Sequence, residues 1–204
     1  MKQKNNVSAS FPRGKVAYFV TSNIHKFQEA RRVLSEYNIA TAKLKVDAVE
    51  IQNDSLENIA KFSALDAVKN CGLPVFVEDA GLFVEALHGF PGPYSRYVYD
   101  TVGIDGILKL IKNIENRSAH FQSVVAFSSP KEQPVCFVGK VKGKISLQKR
   151  GTSGFGYDPI FTPLEGDGRT FAEMTTAEKN SFSHRAEALR MFAEWYSSGG
   201  KRRF

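Results

Sequence analysis

Two hydrophobic periods alternate along this chain, and that alternation limits its fold more than any other feature. The stretch KVAYFV at 15–20 is a short apolar run of the kind buried strands show. After TSN, residues Phe27, Ala30, Leu34 and Tyr37 recur at helical spacing through HKFQEARRVLSEY. A strand, a tight loop and a helix are predicted. In TAKLKVDAVE, Ala42, Leu44, Val46 and Ala48 alternate with polar residues, the period of a half-buried strand. Asp54 with Glu57 resembles a capping box opening a helix through LENIAKFSALDAVKN, which Gly72 and Pro74 close.

The same alternation continues to the end of the chain. VFVE reads as a buried strand ending on acids, and Ile104, Ile107, Leu108 and Ile111 mark another helix. Stretches 119–128 and 135–146 read as two longer strands joined near SPKEQP, and one final helix carries Phe182, Ala186, Leu189, Phe192 and Tyr196. There is no internal repeat and no long linker. Strands and helices in this order predict an α/β domain around a mixed sheet flanked by helices.

Composition narrows the class. With 204 residues, 42% of them apolar and 12% aromatic, the chain can bury one core. One domain over 15–197 is expected, between a basic, disordered tail at 1–14 and a basic tail at 198–204. Cys71 and Cys136 lie far apart in segments that read as buried, which suggests neither a disulfide framework nor a zinc site. No apolar run approaches the roughly 18 residues needed to span a bilayer, and MKQKNNVSAS lacks the apolar stretch of a signal peptide. A cytoplasmic protein with no membrane partner is the expectation. The net charge of +7 resides in Lys2, Lys4, Arg13, Lys15, Lys201, Arg202 and Arg203, so the body between the ends is formally neutral. Solvated tails are expected rather than a nucleic-acid clamp.

Three stretches place polar chemistry at the ends of these elements. TSNIHK, Thr21 to Lys26, lies between strand and helix, where hydroxyls, an amide and backbone N–H groups suit phosphate oxygens and Lys26 adds a charge. Ser22 or Asn23 could equally cap the helix. In VEDAGLFVEALHGFPGPYSRY, Glu78 and Asp79 precede small Ala80 and flexible Gly81. Adjacent carboxylates on a strand point to opposite faces, so one enters a site while the other faces away or braces it. Such oxygen donors suit magnesium, with Glu50 as a candidate second ligand; a solvated turn is the alternative. GTSGFGYDPIF, 151–161, offers Phe155 and Tyr157 as faces for a base, and Asp158 before Pro159 is expected to be extended. Lys179, His184 and Arg185 gather near the start of the last helix, where repulsion from the helix dipole is tolerable if anionic or carbonyl oxygens bind.

Together and in this order, TSNIHKFQEA, VEDAGLFVEALHGFPGPYSRY, GTSGFGYDPIF and TFAEMTTAEKNSFSHRAEAL closely resemble the inosine triphosphate pyrophosphatase family, over about residues 15–197. The resemblance implies a mixed-sheet α/β fold of two lobes with a central substrate cleft. It also implies a homodimer that needs Mg2+ and hydrolyses purine nucleoside triphosphates such as ITP, dITP and XTP to the monophosphate and pyrophosphate. By position it casts Asp79 as catalytic acid and metal ligand, Glu50 as the other metal ligand, and Thr21, Ser22, Asn23, Ile24, His25 and Lys26 as the phosphate grip. Ala80, Phe155, Gly156, Tyr157, Asp158, Lys179, His184 and Arg185 become the remaining substrate contacts. Ser22 stands where the family often has glycine, and Ala80 where it often has serine or threonine, so only the backbone N–H remains there. Other readings are a pyrophosphatase for modified pyrimidine nucleotides, a nucleotide sensor without turnover, and an RNA-binding protein using the tails.

Overall fold

The computed structural model describes residues 15–47, 49 and 51–200. The tails at 1–14 and 201–204, together with Ala48 and Glu50, lie outside the described residues.

Thirteen elements are named here in chain order. They are β1 (Lys15–Val20), α1 (Ile24–Ser35), β2 (Ile39–Leu44), α2 (Leu56–Cys71), β3 (Val75–Val84), the two-residue β4 (Pro91–Gly92) and α3 (Ser95–Thr101). After them come α4 (Gly103–Leu110), β5 (Ser118–Ser128), β6 (Val135–Ile145), β7 (Phe161–Pro163), α5 (Thr176–Phe182) and α6 (His184–Ser197). One sheet runs in the order β2-β1-β3-β5-β6-β7, with β4 paired to β3. β1 is parallel to β2 and β3, and every later pairing is antiparallel. The sheet is therefore mixed, as the alternating periods predict. Among the described residues no helix is long and apolar enough to cross a membrane.

Helices cover both faces. On one, α1 and α6 bury Ala30, Val33, Leu34, Leu189 and Phe192 against Phe19 and Phe76, whose rings stack at 4.4 Å. On the other, the alanines of α2 (Ala60, Ala64, Ala67) lie on Val75, Val77, Val124 and Ala126. Small residues on that helix let it lie close to a β-branched surface. A third cluster, with Leu82, Ile107, Phe121, Phe161 and Phe171, fills the far half of the molecule.

Several local readings change. α2 opens on Ser55, whose hydroxyl accepts from the Asn58 N–H, rather than on an Asp54–Glu57 box. Its end is as expected, with Gly72 at φ 68°. β2 stops at Leu44, opposite the last residue of β1, so Val46 is outside the strand. β3 does not end on its acids but continues to Val84, because β5 pairs with it residue for residue from Val75 to Val84. α3 was not anticipated from the sequence. Asp158 opens a short 3-10 turn over Asp158–Ile160 instead of lying extended.

The expected last helix is two helices. Ser183 is extended (ψ 149°) and caps α6, its hydroxyl accepting from the Ala186 N–H. A serine side chain offers the first turn its hydrogen bond from a non-helical backbone, so the helix restarts there. The start of α6 is pressed onto β6 at Gly139, where an added Cβ would lie 2.0 Å from the His184 carbonyl oxygen. The break and this close approach place Lys179, His184 and Arg185.

Candidate active site

β1 ends at Val20 while its neighbour β3 runs on, and a cleft of about 1100 Å³ opens at that step. Ligands in open α/β sheets commonly sit at the carboxyl ends of the strands. Thr21, Ser22, Asn23, His25 and Lys26 line it from the loop and first turn after β1, and Asp79 and Ala80 from β3. Phe155, Gly156, Tyr157 and Asp158 line it from the loop before β7, with Lys179, His184 and Arg185 from α5 and α6. Ile24 is exposed and not among the lining residues. Glu50 lies outside the described residues.

Asn23 is the cap of α1: its Oδ1 accepts from the His25 N–H at 2.9 Å and the Lys26 N–H at 3.2 Å. Thr21 Oγ1 accepts from the Asn23 N–H at 3.1 Å. The loop is thus a rigid turn whose helix points Lys26 across to β3. There Lys26 Nζ donates to the Glu78 carbonyl oxygen at 2.9 Å and lies 3.0 Å from Glu78 Oε2.

Under the cleft floor runs a buried chain of alternating charges. Glu78 Oε1 accepts from Ser123 Oγ at 2.5 Å and lies 3.1 Å from Arg185 Nε. Arg185 donates to Glu29 Oε2 at 2.5 Å, and Lys179 Nζ donates to Glu29 Oε1 at 2.9 Å and Asp158 Oδ2 at 2.6 Å. Side-chain exposure is 4% for Lys179 and Arg185, 7% for Glu29 and 0% for Glu78. Three cations, Lys26, Arg185 and Lys179, therefore meet three carboxylates, Glu78, Glu29 and Asp158. The repulsion expected at the start of α6 is relieved inside the protein by these carboxylates.

Burial alone would raise the Glu78 carboxyl, but Arg185, Lys26 and the Ser123 hydroxyl outweigh it and hold it well below the usual range. Burial opposes ionisation of Glu29 too, and Arg185 with Lys179 overcomes it. At Asp158 burial wins and the carboxyl is raised, although Lys179 and the Phe155 N–H both donate to Oδ2. His184 is not a fourth cation. Burial first, then Arg185 and Lys179, push it well below 6.5, so its imidazole is neutral. It stacks on Phe121 at 4.6 Å, and Nδ1 has no hydrogen-bond partner among the described residues.

The aromatic loop splits its two rings between different tasks. Tyr157 is buried, donates to the Ser95 carbonyl oxygen at 3.0 Å and packs against Tyr99 at right angles, so its hydroxyl is engaged within the protein. Phe155 is half-buried, stacked on His25 at 5.2 Å, with Lys179 Nζ 4.9 Å and the Arg185 guanidinium 5.3 Å from its ring centre. Gly154 has φ +74°, and a Cβ there would meet Asp158 Oδ2 at 2.2 Å. Only glycine permits this turn around the carboxylate.

Glu78 and Asp79 leave β3 in opposite directions. Glu78 braces the cation chain, while Asp79, half-buried, lines the cleft. No group of three or more His, Cys, Asp or Glu able to hold a metal occurs among the described residues. Magnesium, however, commonly takes one or two carboxylates together with substrate phosphates, and Asp79 beside the Thr21–Lys26 turn is a donor set of that kind. Sequence reasoning missed Glu29 and Ser123. Glu29 had a signal, an acid four residues before Val33 on the apolar stripe of α1; Ser123 had none.

The Ham1 family model matches residues 17–195. This chain belongs to the Ham1 family. It is 52% identical over 180 residues to the dITP/XTP pyrophosphatase of Methanopyrus kandleri, covering 88% of this chain and 95% of the relative. Its identity to the dITP/XTP pyrophosphatase of Thermococcus kodakarensis is also 52%, covering 87% and 95%. The solved structure of a HAM1 protein from Coxiella burnetii superposes with a TM-score of 0.80 at 29% identity, covering 90% of this chain and 99% of the other. The Ham1 fold is the fold described above.

Proposed function

We propose that this Ham1-family chain is a nucleoside triphosphate pyrophosphohydrolase. It acts on purine nucleotides such as dITP, XTP and ITP, releases the monophosphate and pyrophosphate, and works as a cytoplasmic homodimer. The observation that carries the reading is the half-buried Asp79 lining a cleft under whose floor runs the buried Lys26–Glu78–Arg185–Glu29–Lys179–Asp158 chain. Relatives with about half their residues identical are named dITP/XTP pyrophosphatases, which supports the substrate class.

The residues divide the work. Water attacks the α-phosphorus, and Asp79 orients it and accepts its proton. The Thr21–Lys26 turn and the cleft-facing side of Lys26 Nζ hold phosphate oxygens against that line of attack. Asp79, with Glu50 as the resemblance assigns it, would hold Mg2+, which neutralises phosphate charge and acidifies water when bound. Phe155 covers the base, and Arg185 with neutral His184 reads its edge. A donor aimed at the purine 6-oxygen of hypoxanthine or xanthine faces another donor when adenine enters, which leaves buried polar groups unpaired. Lys179, enclosed by Glu29, Asp158 and the Phe155 ring, holds the base loop in place.

The test is pyrophosphate release from dITP, XTP, ITP, GTP and ATP with and without Mg2+. Expected is Mg2+-dependent turnover with kcat/KM for dITP and XTP exceeding that for ATP by about 10² or more. Equal rates on dITP and ATP would refute base reading, turnover confined to modified pyrimidine nucleotides would replace the substrate, and tight binding without turnover would make the chain a sensor.

A further inference from the structure

A triphosphate brings several negative charges into the cleft, and the buried cations have little to offer them. Lys179 and Arg185 are enclosed by Glu29, Glu78 and Asp158, and Lys26 already faces Glu78. Arg96, on the α3 wall, pairs with Asp100 at 2.5 Å. Among the described residues the remaining lining cations are Lys43, near the end of β2, and Lys45, just beyond it. Both are exposed, and neither has an ion-pair partner among the described residues. Lys43 reaches the Thr21–Lys26 turn itself, its Nζ 3.4 Å from the Ser22 carbonyl oxygen.

A second, independent feature lines the same cleft. Ser63 of α2 lines the cleft and is 6% exposed, yet its hydroxyl has no hydrogen-bond partner among the described residues. A buried hydroxyl without a partner costs free energy unless something arriving in the cleft satisfies it. Phosphate oxygens are acceptors that a hydroxyl and two lysines would all serve.

We propose that Lys43, Lys45 and Ser63 form the landing site for the β- and γ-phosphates, supplying the positive charge that the interior cluster has neutralised. This rests on the pyrophosphohydrolase reading above. The lysines act through charge at the rim, drawing the polyphosphate in and holding the part that becomes pyrophosphate, while the Ser63 hydroxyl donates to one phosphate oxygen. A monophosphate does not reach them.

The test uses the full chain with Lys43→Gln, Lys45→Gln, the double variant and Ser63→Ala. Calorimetric Kd values are measured for inorganic tripolyphosphate displaceable by ITP and for IMP, and KM and kcat for dITP with Mg2+. Expected in the double variant is a rise of about tenfold or more in the tripolyphosphate Kd and in KM, with IMP affinity within about twofold and kcat within about threefold of wild type. Added salt weakens tripolyphosphate binding less in the double variant than in wild type. Ser63→Ala melts at or above the wild-type midpoint yet binds tripolyphosphate more weakly, which a merely structural serine would not do. A tripolyphosphate Kd and KM within about twofold of wild type in the double variant, or an equal loss of IMP and tripolyphosphate, would overturn the assignment. Absence of dITP and XTP turnover in the wild type would refute the enzymatic reading, while the tripolyphosphate titration would still decide the lysines.

Discussion

Replacing Glu78 by Gln tests whether the buried charge chain holds the fold and the cleft together. The side chain is fully buried, accepts from Ser123 at 2.5 Å, and lies 3.0 Å from Lys26 and 3.1 Å from Arg185. Glutamine keeps the shape but removes the anion between two cations and turns an NH2 donor toward one of them. Breaking one member of a buried ion pair costs about 3–5 kcal/mol. Lys26 is partly exposed and can turn to water, which favours the lower end, about 3 kcal/mol. For a domain of this size that is roughly 6–12 °C in Tm. The pH dependence gives a second readout. A carboxyl with its pKa lowered by folding binds fewer protons in the native state, so its stabilisation is complete above its ordinary value of 4.5 and is lost as pH falls below it. Urea unfolding from pH 7 to pH 3 should show wild type losing stability below about 4.5 and Glu78→Gln losing less over that window. A Tm within about 2 °C of wild type, or an unchanged acid slope, would refute the reasoning.

Asp79→Asn keeps the shape of the proposed base while removing its charge, so pyrophosphate release from dITP should fall about 10² or more with ITP binding largely kept, measured by steady-state kinetics and calorimetry. Gly139→Ala drives a Cβ into the first turn of α6, 2.0 Å from the His184 carbonyl oxygen and 2.6 Å from the Ala188 nitrogen. The expected cost is at least about 2 kcal/mol in urea unfolding, with lower turnover because Arg185 rides on that turn.

The family's four signature stretches, the mixed sheet and most helices are legible from residue order, since strand and helix periods depend on neighbours in the chain. The cap at Asn23 and the stop at Gly72 are local in the same sense. Other features were decided only by partners distant in sequence. β3 runs through Glu78 and Asp79 because β5 pairs along its whole length. The last helix breaks at Ser183, where a local cap coincides with β6 pressing through Gly139 on the turn that follows. The sequence brings Lys179, His184 and Arg185 near one another but is silent on their charge. Glu29 lies 150 residues from Lys179 and 156 from Arg185, and Glu78 reaches Arg185 from a separate strand. Only folding brings these carboxylates within 3.1 Å of the cations, neutralises them and leaves His184 uncharged. Charge along a chain adds without regard to distance, whereas the charge available to a ligand depends on which groups share a low-dielectric interior.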